Sequence, residues 1–203
     1  MAMCDVPRAL VHARQASRLL RENPDAVDVK ESLGAQYRLA KVLFVAGELQ
    51  ECSALLQSIY WVADEAADFL MAARIQLFRA KLFATLGLSE NEVASFAEQL
   101  DEFSQEGGAV VERLMLLARQ NLGLISRPVQ VLRETRRLVA NETAMKDRDF
   151  QLVGWELLTH AAIRARRFKQ AVVYAKRRLI VAENFSSRFH ATDAQIVLAS
   201  ALA

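Results

Sequence analysis

Apolar side chains recur along this chain with the period of amphipathic α-helices. The clearest stripe, with apolar positions three and four residues apart, is formed by Leu33, Tyr37, Ala40, Leu43 and Phe44. Such spacing lines one face of a helix. Gly47 follows the stripe, where a residue with positive φ ends a helix at low cost. A second stripe predicts a partner helix over about Leu49 to Asp64, and the two helices form a hairpin.

The same helix–break–helix pattern is repeated along the chain. Its breaks lie at Gly47, Gly87, Gly123 and Arg166, which are 40, 36 and 43 residues apart. A period near 40 built from two helices is typical of an α-solenoid, whose hairpins bury their apolar faces by stacking on neighbours. We therefore expect an all-α, right-handed superhelix of about four antiparallel hairpins.

Short polar motifs mark the starts of several predicted helices. An opening helix is expected over about Pro7 to Glu22, with its proline in the first turn. Asp28-x-x-Glu31 and Ser89-x-x-Glu92 have the spacing of a capping box, and Ser126 before Pro128 predicts a serine N-cap. The inward positions predicted for the helices include Ala16, Cys52, Val62, Leu70, Ala73, Leu77, Val129, Leu132, Trp155, Phe168 and Ala171.

The repeats extend over residues 1–203, so a single repeat domain is expected, with Gly107-Gly108 as a candidate seam. The first helix has no partner before it, and the apolar segment Thr192 to Ala203 has none after it. Solenoids end in polar capping repeats, because an exposed end face would aggregate. The chain is therefore expected to be a piece of a longer solenoid.

One repeat resembles a known family. Trp155-x-x-Leu158-Thr159-x-x-Ala162, with Ala171 on the next helix, resembles a tetratricopeptide repeat at two of the four positions that mark its first helix. Hairpins near 40 residues are longer than the standard repeat of about 34. With the segment Phe168 to Glu183, they are similar to the superhelical sensor region of MalT-type, LuxR-like bacterial transcriptional regulators. That resemblance implies a region that binds an inducer or an inhibitory protein, while ATP-binding and DNA-binding domains lie elsewhere.

Composition narrows the class of protein further. Hydrophobic residues make up 53% of the chain and charged residues 25%, so a sizeable core is expected and disorder is not. No apolar run approaches the roughly 18 residues that cross a bilayer, and no secretion signal opens the chain. A cytoplasmic protein without membrane contact is expected. Cys4 and Cys52 have no motif spacing and are interpreted as buried or inert thiols.

Charge is divided unevenly along the chain. Residues 1–108 contain 10 basic and 16 acidic side chains, and residues 109–203 contain 16 and 8. Nucleic-acid binding, head-to-tail docking of a larger solenoid and a solvated surface each explain this division. Two basic clusters lie at Arg164–Lys169 and Lys176–Arg178. Direct nucleic-acid binding is not favoured, because the nearby aromatic residues Trp155, Phe168 and Tyr174 are assigned to the core or its edge.

No pattern for catalysis or a cofactor is present. His12, His160 and His190 lack paired metal spacing, and no phosphate-binding loop occurs. Glu156 and His160 are four residues apart, which predicts a polar pair on one helix face. We expect a protein without enzymatic activity, metal or cofactor.

The first helices of the hairpins are expected to line a concave binding groove. Its cationic and amide groups suit a carboxylate or an acidic peptide, so the expected partner is a protein, a peptide or a small inducer. Self-association through the end helices is a further expectation. The sensor region of a regulator is the first hypothesis for function, and a stand-alone interaction scaffold is the alternative. The predicted groove residues are Tyr37, Lys41, Phe44, Arg74, Leu77, Lys81, Arg113, Gln120, Asn121, Glu156, His160 and Arg164.

Overall fold

The computed structural model describes residues 6–22, 28–87, 89–105, 107–140 and 148–184, together with residues 191, 194–195 and 198–199. Within these ranges every regular element is helical, which confirms the all-α class. Cys4, His190 and most of the predicted segment 192–203 lie outside the described residues. The described helices are α1 (Val6–Glu22), α2 (Val29–Ala46), α3 (Leu49–Glu65), α4 (Phe69–Leu86), α5 (Glu90–Ser104), α6 (Gly108–Leu122), α7 (Pro128–Val139), α8 (Arg148–Arg164) and α9 (Phe168–Asn184).

The chain divides into two compact units, Met1–Leu86 and Gly87–Ala203. In the first unit each helix from α1 to α4 packs on the next, and α2 also contacts α4. In the second unit α5 packs on α6, α6 contacts both α7 and α8, and α8 packs on α7 and α9. The boundary lies at Leu86–Gly87, whereas Gly107-Gly108 joins α5 to α6 inside the second unit. The single repeat domain stays a prediction.

Three of the helices end in the same turn. Gly47 closes α2 with a φ of 81°, while the Glu48 N–H donates to the Leu43 carbonyl at 2.9 Å. This is a Schellman motif, in which a left-handed residue lets the chain satisfy the last helical carbonyls. Ala67 (φ 52°) and Arg166 (φ 56°) adopt the same conformation after α3 and α8 without being glycine. The predicted breaks at Gly47 and Arg166 are thus confirmed, whereas the positive φ of Ala67 was not foreseen.

The predicted N-caps fare differently. Ser89 forms a complete capping box: its hydroxyl accepts the Glu92 N–H, and the Glu92 carboxylate accepts the Ser89 N–H at 2.9 Å. Asp28 occupies the N-cap of α2, but only its carbonyl takes part, accepting from the Ser32 N–H, so that capping box is wrong. The serine cap predicted for α7 is also wrong. Arg127 is the N-cap, and Pro128 occupies the first helical position as expected.

Most predicted inward positions are buried, including Cys52, Leu56, Leu114 and Leu132. The exceptions are side chains at the border of an apolar stripe. At such a position a shift of the buried helix face by one residue decides whether the side chain is buried or exposed. In α3 the inward position belongs to Ala63, and in α7 it belongs to Val131. Phe168, the first residue of α9, is 52% exposed because the inward stripe of α9 begins at Ala171. The predictions that proved wrong on this account are Ala16, Val62, Leu70, Val129 and Phe168.

Two helical glycines are expected to respond in opposite ways to alanine. A Cβ at Gly154 of α8 would lie 2.8 Å from Cγ2 of Val139, a stiff β-branched side chain on α7. Gly154→Ala should therefore destabilise the chain by about 1–3 kcal/mol, despite its better helix propensity. At Gly34 the nearest atom is Nη1 of Arg38, 3.8 Å away, so Gly34→Ala should stabilise by about 0.5–1 kcal/mol. Urea unfolding followed by circular dichroism measures both changes, and equal stabilities for the two variants would contradict the close packing of α7 on α8.

Candidate functional site

A cluster of aromatic and cationic side chains covers one face of α2 and α4 in the first unit. We call it the cationic face and define it as Tyr37, Lys41, Phe44, Arg74, Phe78 and Lys81. Three rings form its base. The ring of Phe78 meets Tyr37 edge-on with centroids 5.9 Å apart, and it meets Phe44 at 5.4 Å. Edge-to-face pairs of this kind are stabilising beyond the area that they bury.

The positive charges lie on these rings. Nζ of Lys41 is 4.6 Å from the ring centroid of Tyr37, and Nζ of Lys81 is 5.1 Å from that of Phe44. The Tyr37 hydroxyl donates a hydrogen bond to the Arg74 carbonyl at 3.2 Å, which ties α2 to α4. The rings thereby fix where both ammonium groups stand. The face presents held cations above an apolar base.

Few carboxylates belong to the two helices that carry this face. In α4 the basic residues are Arg74, Arg79 and Lys81, and residues 69–86 contain no Asp or Glu. In α2 the only acidic residue is Glu31. Lysine and arginine side chains form charge-assisted hydrogen bonds with carboxylates, so an acidic ligand suits the chemistry of this face. Leu77, predicted as a groove residue, is 6% exposed and supports the face from the core.

Arg79 lies on a different side of α4. Its guanidinium stands 5.7 Å from the ring of Tyr60 and 5.6 Å from that of Phe83, and it donates to Oε1 of the buried Gln76 at 2.9 Å. Burial lowers the pKa of Arg79 below its ordinary value. This arginine is a packing group between α3 and α4, so only two of the three cations of α4 belong to the cationic face.

Two of the predicted groove residues of α6, Gln120 and Asn121, are hydrogen-bonded within the protein. Asn121 is buried, and its Nδ2 donates to the Leu117 carbonyl at 3.0 Å. Arg113 and Gln120 are half-buried, and Gln120 hydrogen-bonds to Glu134 of α7. Hydrogen bonds from Gln130 and then Gln120 hold the pKa of Glu134 below its usual value. Asn121 and Gln120 are therefore hydrogen-bonded within the protein, and the role of these α6 side chains in a groove stays a prediction.

On α8, Glu156 and His160 lie on one helix face, as predicted, with 4.0 Å between a carboxylate oxygen and Nε2. The stronger partner of Glu156 is Arg178 of α9, whose Nη2 donates to the carboxylate at 2.8 Å. Arg178 is 1% exposed, so this member of the basic cluster Lys176–Arg178 lies in the core. Its position three residues after the inward Ala175 was the available signal. Arg164 is exposed at the end of α8.

Trp155 marks the edge of the same helix pair. Its ring stacks on Tyr174 of α9 with centroids 6.0 Å apart, and the Arg177 guanidinium lies 5.7 Å from the indole. Both aromatic residues are half-buried, which confirms their predicted place at the edge of the core. Lys176 and Arg177 remain exposed, so the predicted cluster 176–178 is divided between surface and core.

Metal-binding side chains do not gather into a larger cluster in the described ranges. No group of three or more His, Cys, Asp or Glu residues is placed to hold a metal ion in the part of the chain that the structure describes. Cys52 is buried, its thiol donates to the Ala40 carbonyl at 3.3 Å, and burial raises its pKa to about 11. At neutral pH the thiol is therefore protonated and takes part in packing.

The chain matches no protein-family model. None of the curated proteins is a match either. Among the described helices, none combines the length and the apolar character needed to cross a membrane.

Proposed function

We propose that this chain is a cytoplasmic, non-enzymatic recognition module built from tetratricopeptide-like hairpins in a right-handed solenoid. Its ligand is a peptide or protein segment rich in Asp and Glu, which binds to the cationic face of α2 and α4. The observation that carries the proposal is the placement of Lys41 and Lys81 over the rings of Tyr37 and Phe44 on two adjoining helices.

Two features of the fold support the repeat architecture. Helices of 12–18 residues follow one another, and left-handed turns at Gly47, Ala67 and Arg166 connect α2 to α3, α3 to α4 and α8 to α9. In addition, α2 contacts α4 and α6 contacts α8, so alternate helices touch within each unit. Stacked hairpins require such contacts between first helices, and the surface these helices share is where solenoids bind their partners.

The chemistry of the cationic face supports an acidic peptide in particular. Carboxylates form charge-assisted hydrogen bonds with lysine and arginine, which are roughly twice as strong as bonds between neutral groups. Apolar side chains of the same peptide would cover the edges of the rings that the lysines leave open. A ligand lacking either property would leave half of this face unused.

Within the class of recognition modules, we place the chain as the sensing region of a bacterial transcriptional regulator. This assignment rests on the hairpin period near 40 residues and on the repeat at Trp155. An occupied face would shift the arrangement of the hairpins and thereby an attached domain. An ATP-binding module and a helix-turn-helix in the parent reading frame would support the regulator, whereas their absence would favour the alternative of an interaction scaffold.

Binding is tested by fluorescence anisotropy with a labelled peptide in which glutamates alternate with leucines. The double variant Lys41→Ala/Lys81→Ala should raise the Kd by about tenfold or more, since each tenfold change corresponds to about 1.4 kcal/mol. The matched control is Arg18→Ala/Arg38→Ala, which removes the same charge from exposed positions outside the face. Equal weakening by both double variants, or tighter binding of a lysine–leucine peptide, would refute the site.

A further inference from the structure

A basic groove runs along α7 in the second unit. Its volume is about 1010 Å³, and the arginines that line it are Arg127, Arg133, Arg136, Arg137 and Arg167. All of them are exposed. Arg127 and Arg133 lie close enough to Glu134 of α7 to lower the pKa of its carboxyl, whereas Arg136, Arg137 and Arg167 form no ion pair with another described residue. Pro128, Val129 and Leu132 contribute apolar groups to the lining of the groove. The fold creates this groove by bringing Arg167, from the turn before α9, next to the arginines of α7.

The opposite charge is concentrated on α5 of the same unit. Residues 90–104 contain five acidic and no basic side chains. Asp101 is paired with Arg119 of α6 at 2.7 Å, and Glu92 is engaged in the capping box. The remaining carboxylates are exposed and belong to Glu90, Glu98 and Glu102. Five of the 16 acidic residues in positions 1–108 therefore lie on one short helix that has no basic residue.

The acidic helix and the basic groove are neighbours. A smaller hollow of about 250 Å³ is lined by Val93 and Ala97 of α5 on one side and by Ser126 and Arg127 on the other. Ser126 and Arg127 also line the basic groove. The helix that carries the exposed carboxylates therefore adjoins the basic groove within the second unit.

A surface on which an acidic helix adjoins a basic groove can pair with a second copy of itself. A two-fold rotation brings the acidic helix of each copy to the basic groove of the other. We propose that two copies of this chain associate through this surface, with the exposed carboxylates of α5 from each copy in the basic groove of the other. Arginine favours such contacts because its planar guanidinium binds carboxylates through two parallel hydrogen bonds. The surface lies in the second unit and is independent of the proposed peptide site.

A second copy fits this groove better than a nucleic acid does. The lining contains no aromatic side chain on which a base could stack, and it includes apolar groups of Pro128, Val129 and Leu132. Protein interfaces combine an apolar centre with a polar rim in which arginine is enriched. The chain also supplies the required carboxylates itself, on a helix next to the groove.

Light scattering after size-exclusion chromatography tests the association with the full chain. At about 0.01 M salt, where charges act over roughly 30 Å, the mass should be twice the 22.7 kDa of one chain. At about 1 M salt, where screening reduces this range to roughly 3 Å, it should fall towards 22.7 kDa. A monomer at low salt, or a mass that grows beyond two chains, would overturn the proposal.

Charge reversal tests the surface itself. Two charge-reversal variants should each be monomeric: Arg136→Glu/Arg137→Glu and Glu98→Arg/Glu102→Arg. In each of them the groove of one copy would face an α5 helix of like charge in the other copy, at both halves of the two-fold contact. An equimolar mixture should restore the dimer, because each groove then meets an α5 of opposite charge. This recovery would not occur if the substitutions acted by unfolding the unit, and circular dichroism with the milder Arg136→Gln/Arg137→Gln checks the fold.

The matched control is Lys169→Glu/Lys176→Glu, which changes net charge equally at exposed positions of α9 outside the groove and should remain dimeric. Loss of the dimer in this control as well would overturn the specific contact. A labelled oligonucleotide is the second probe. If the wild-type chain is monomeric and binds it, and Arg136→Glu/Arg137→Glu releases it, the groove belongs to a nucleic acid and the proposal is wrong.

Discussion

Replacing Glu156 by alanine should destabilise the chain by about 3–5 kcal/mol, which is the expected cost of removing one partner of a buried ion pair. The carboxylate of Glu156 accepts a hydrogen bond from Arg178 at 2.8 Å. Arg178 is 1% exposed, so its charge would stay in the core without this compensation. Urea unfolding followed by circular dichroism at neutral pH measures the loss.

Replacing both members of the pair by apolar residues separates the effect of the ion pair from that of general packing. Glu156→Leu/Arg178→Met removes both charges and keeps much of the volume, so it should recover most of the stability lost in Glu156→Ala. The matched control is Glu183→Ala, an exposed acidic residue on α9, which should change stability by less than about 0.5 kcal/mol. If Glu156→Ala and Arg178→Ala each cost less than about 1 kcal/mol, the pair does not anchor α8 to α9.

The second large effect is expected at Phe78. This ring is 8% exposed and touches both Tyr37 and Phe44 edge-on. Phe78→Ala should therefore cost about 3–5 kcal/mol, because it leaves a cavity and removes two aromatic contacts. Urea unfolding gives the stability change. The same variant should weaken binding of the acidic peptide, since the rings that hold Lys41 and Lys81 lose their common support.

Phe168 provides the matched comparison, because it is the same residue type at an exposed position. With 52% of its surface in solvent, Phe168→Ala should change stability by less than about 1 kcal/mol. The sequence alone predicted Phe168 to be a core residue. A loss at Phe168 as large as that at Phe78 would contradict the structure and return this ring to the core.

The features of the fold that could be predicted are those formed by interactions between residues close together in sequence. Gly47 ends α2 and Ser89 caps α5 through residues within three or four positions, so local spacing was sufficient. Phe168 and Val129 could not be placed, because periodicity gives the direction of an apolar stripe only to within about one residue. Arg166 closes α8 with positive φ although sequence preference reserves that conformation mainly for glycine.

Candidate sites were harder to predict because they combine distant segments. The spacing of Tyr37, Lys41 and Phe44 could be read from α2, but the role of Phe78 between two of these rings required α4 to be placed beside it. Sequence spacing grouped Arg178 with Lys176 and Arg177, whereas packing of α9 on α8 encloses Arg178 with Glu156. The basic groove of α7 was missed because Arg167 joins it only in the folded chain.

Recognition of an acidic peptide by the cationic face is tested most directly by amide NMR of the isotope-labelled chain during titration with the glutamate–leucine peptide. We predict saturable changes in chemical shift centred on Lys41, Phe44, Arg74, Phe78 and Lys81, with smaller changes elsewhere. Shifts centred on other residues would contradict recognition by this face. The absence of shifts at peptide concentrations approaching about 1 mM would also contradict it, because at that concentration only ligands that bind more weakly than about −4.1 kcal/mol escape detection.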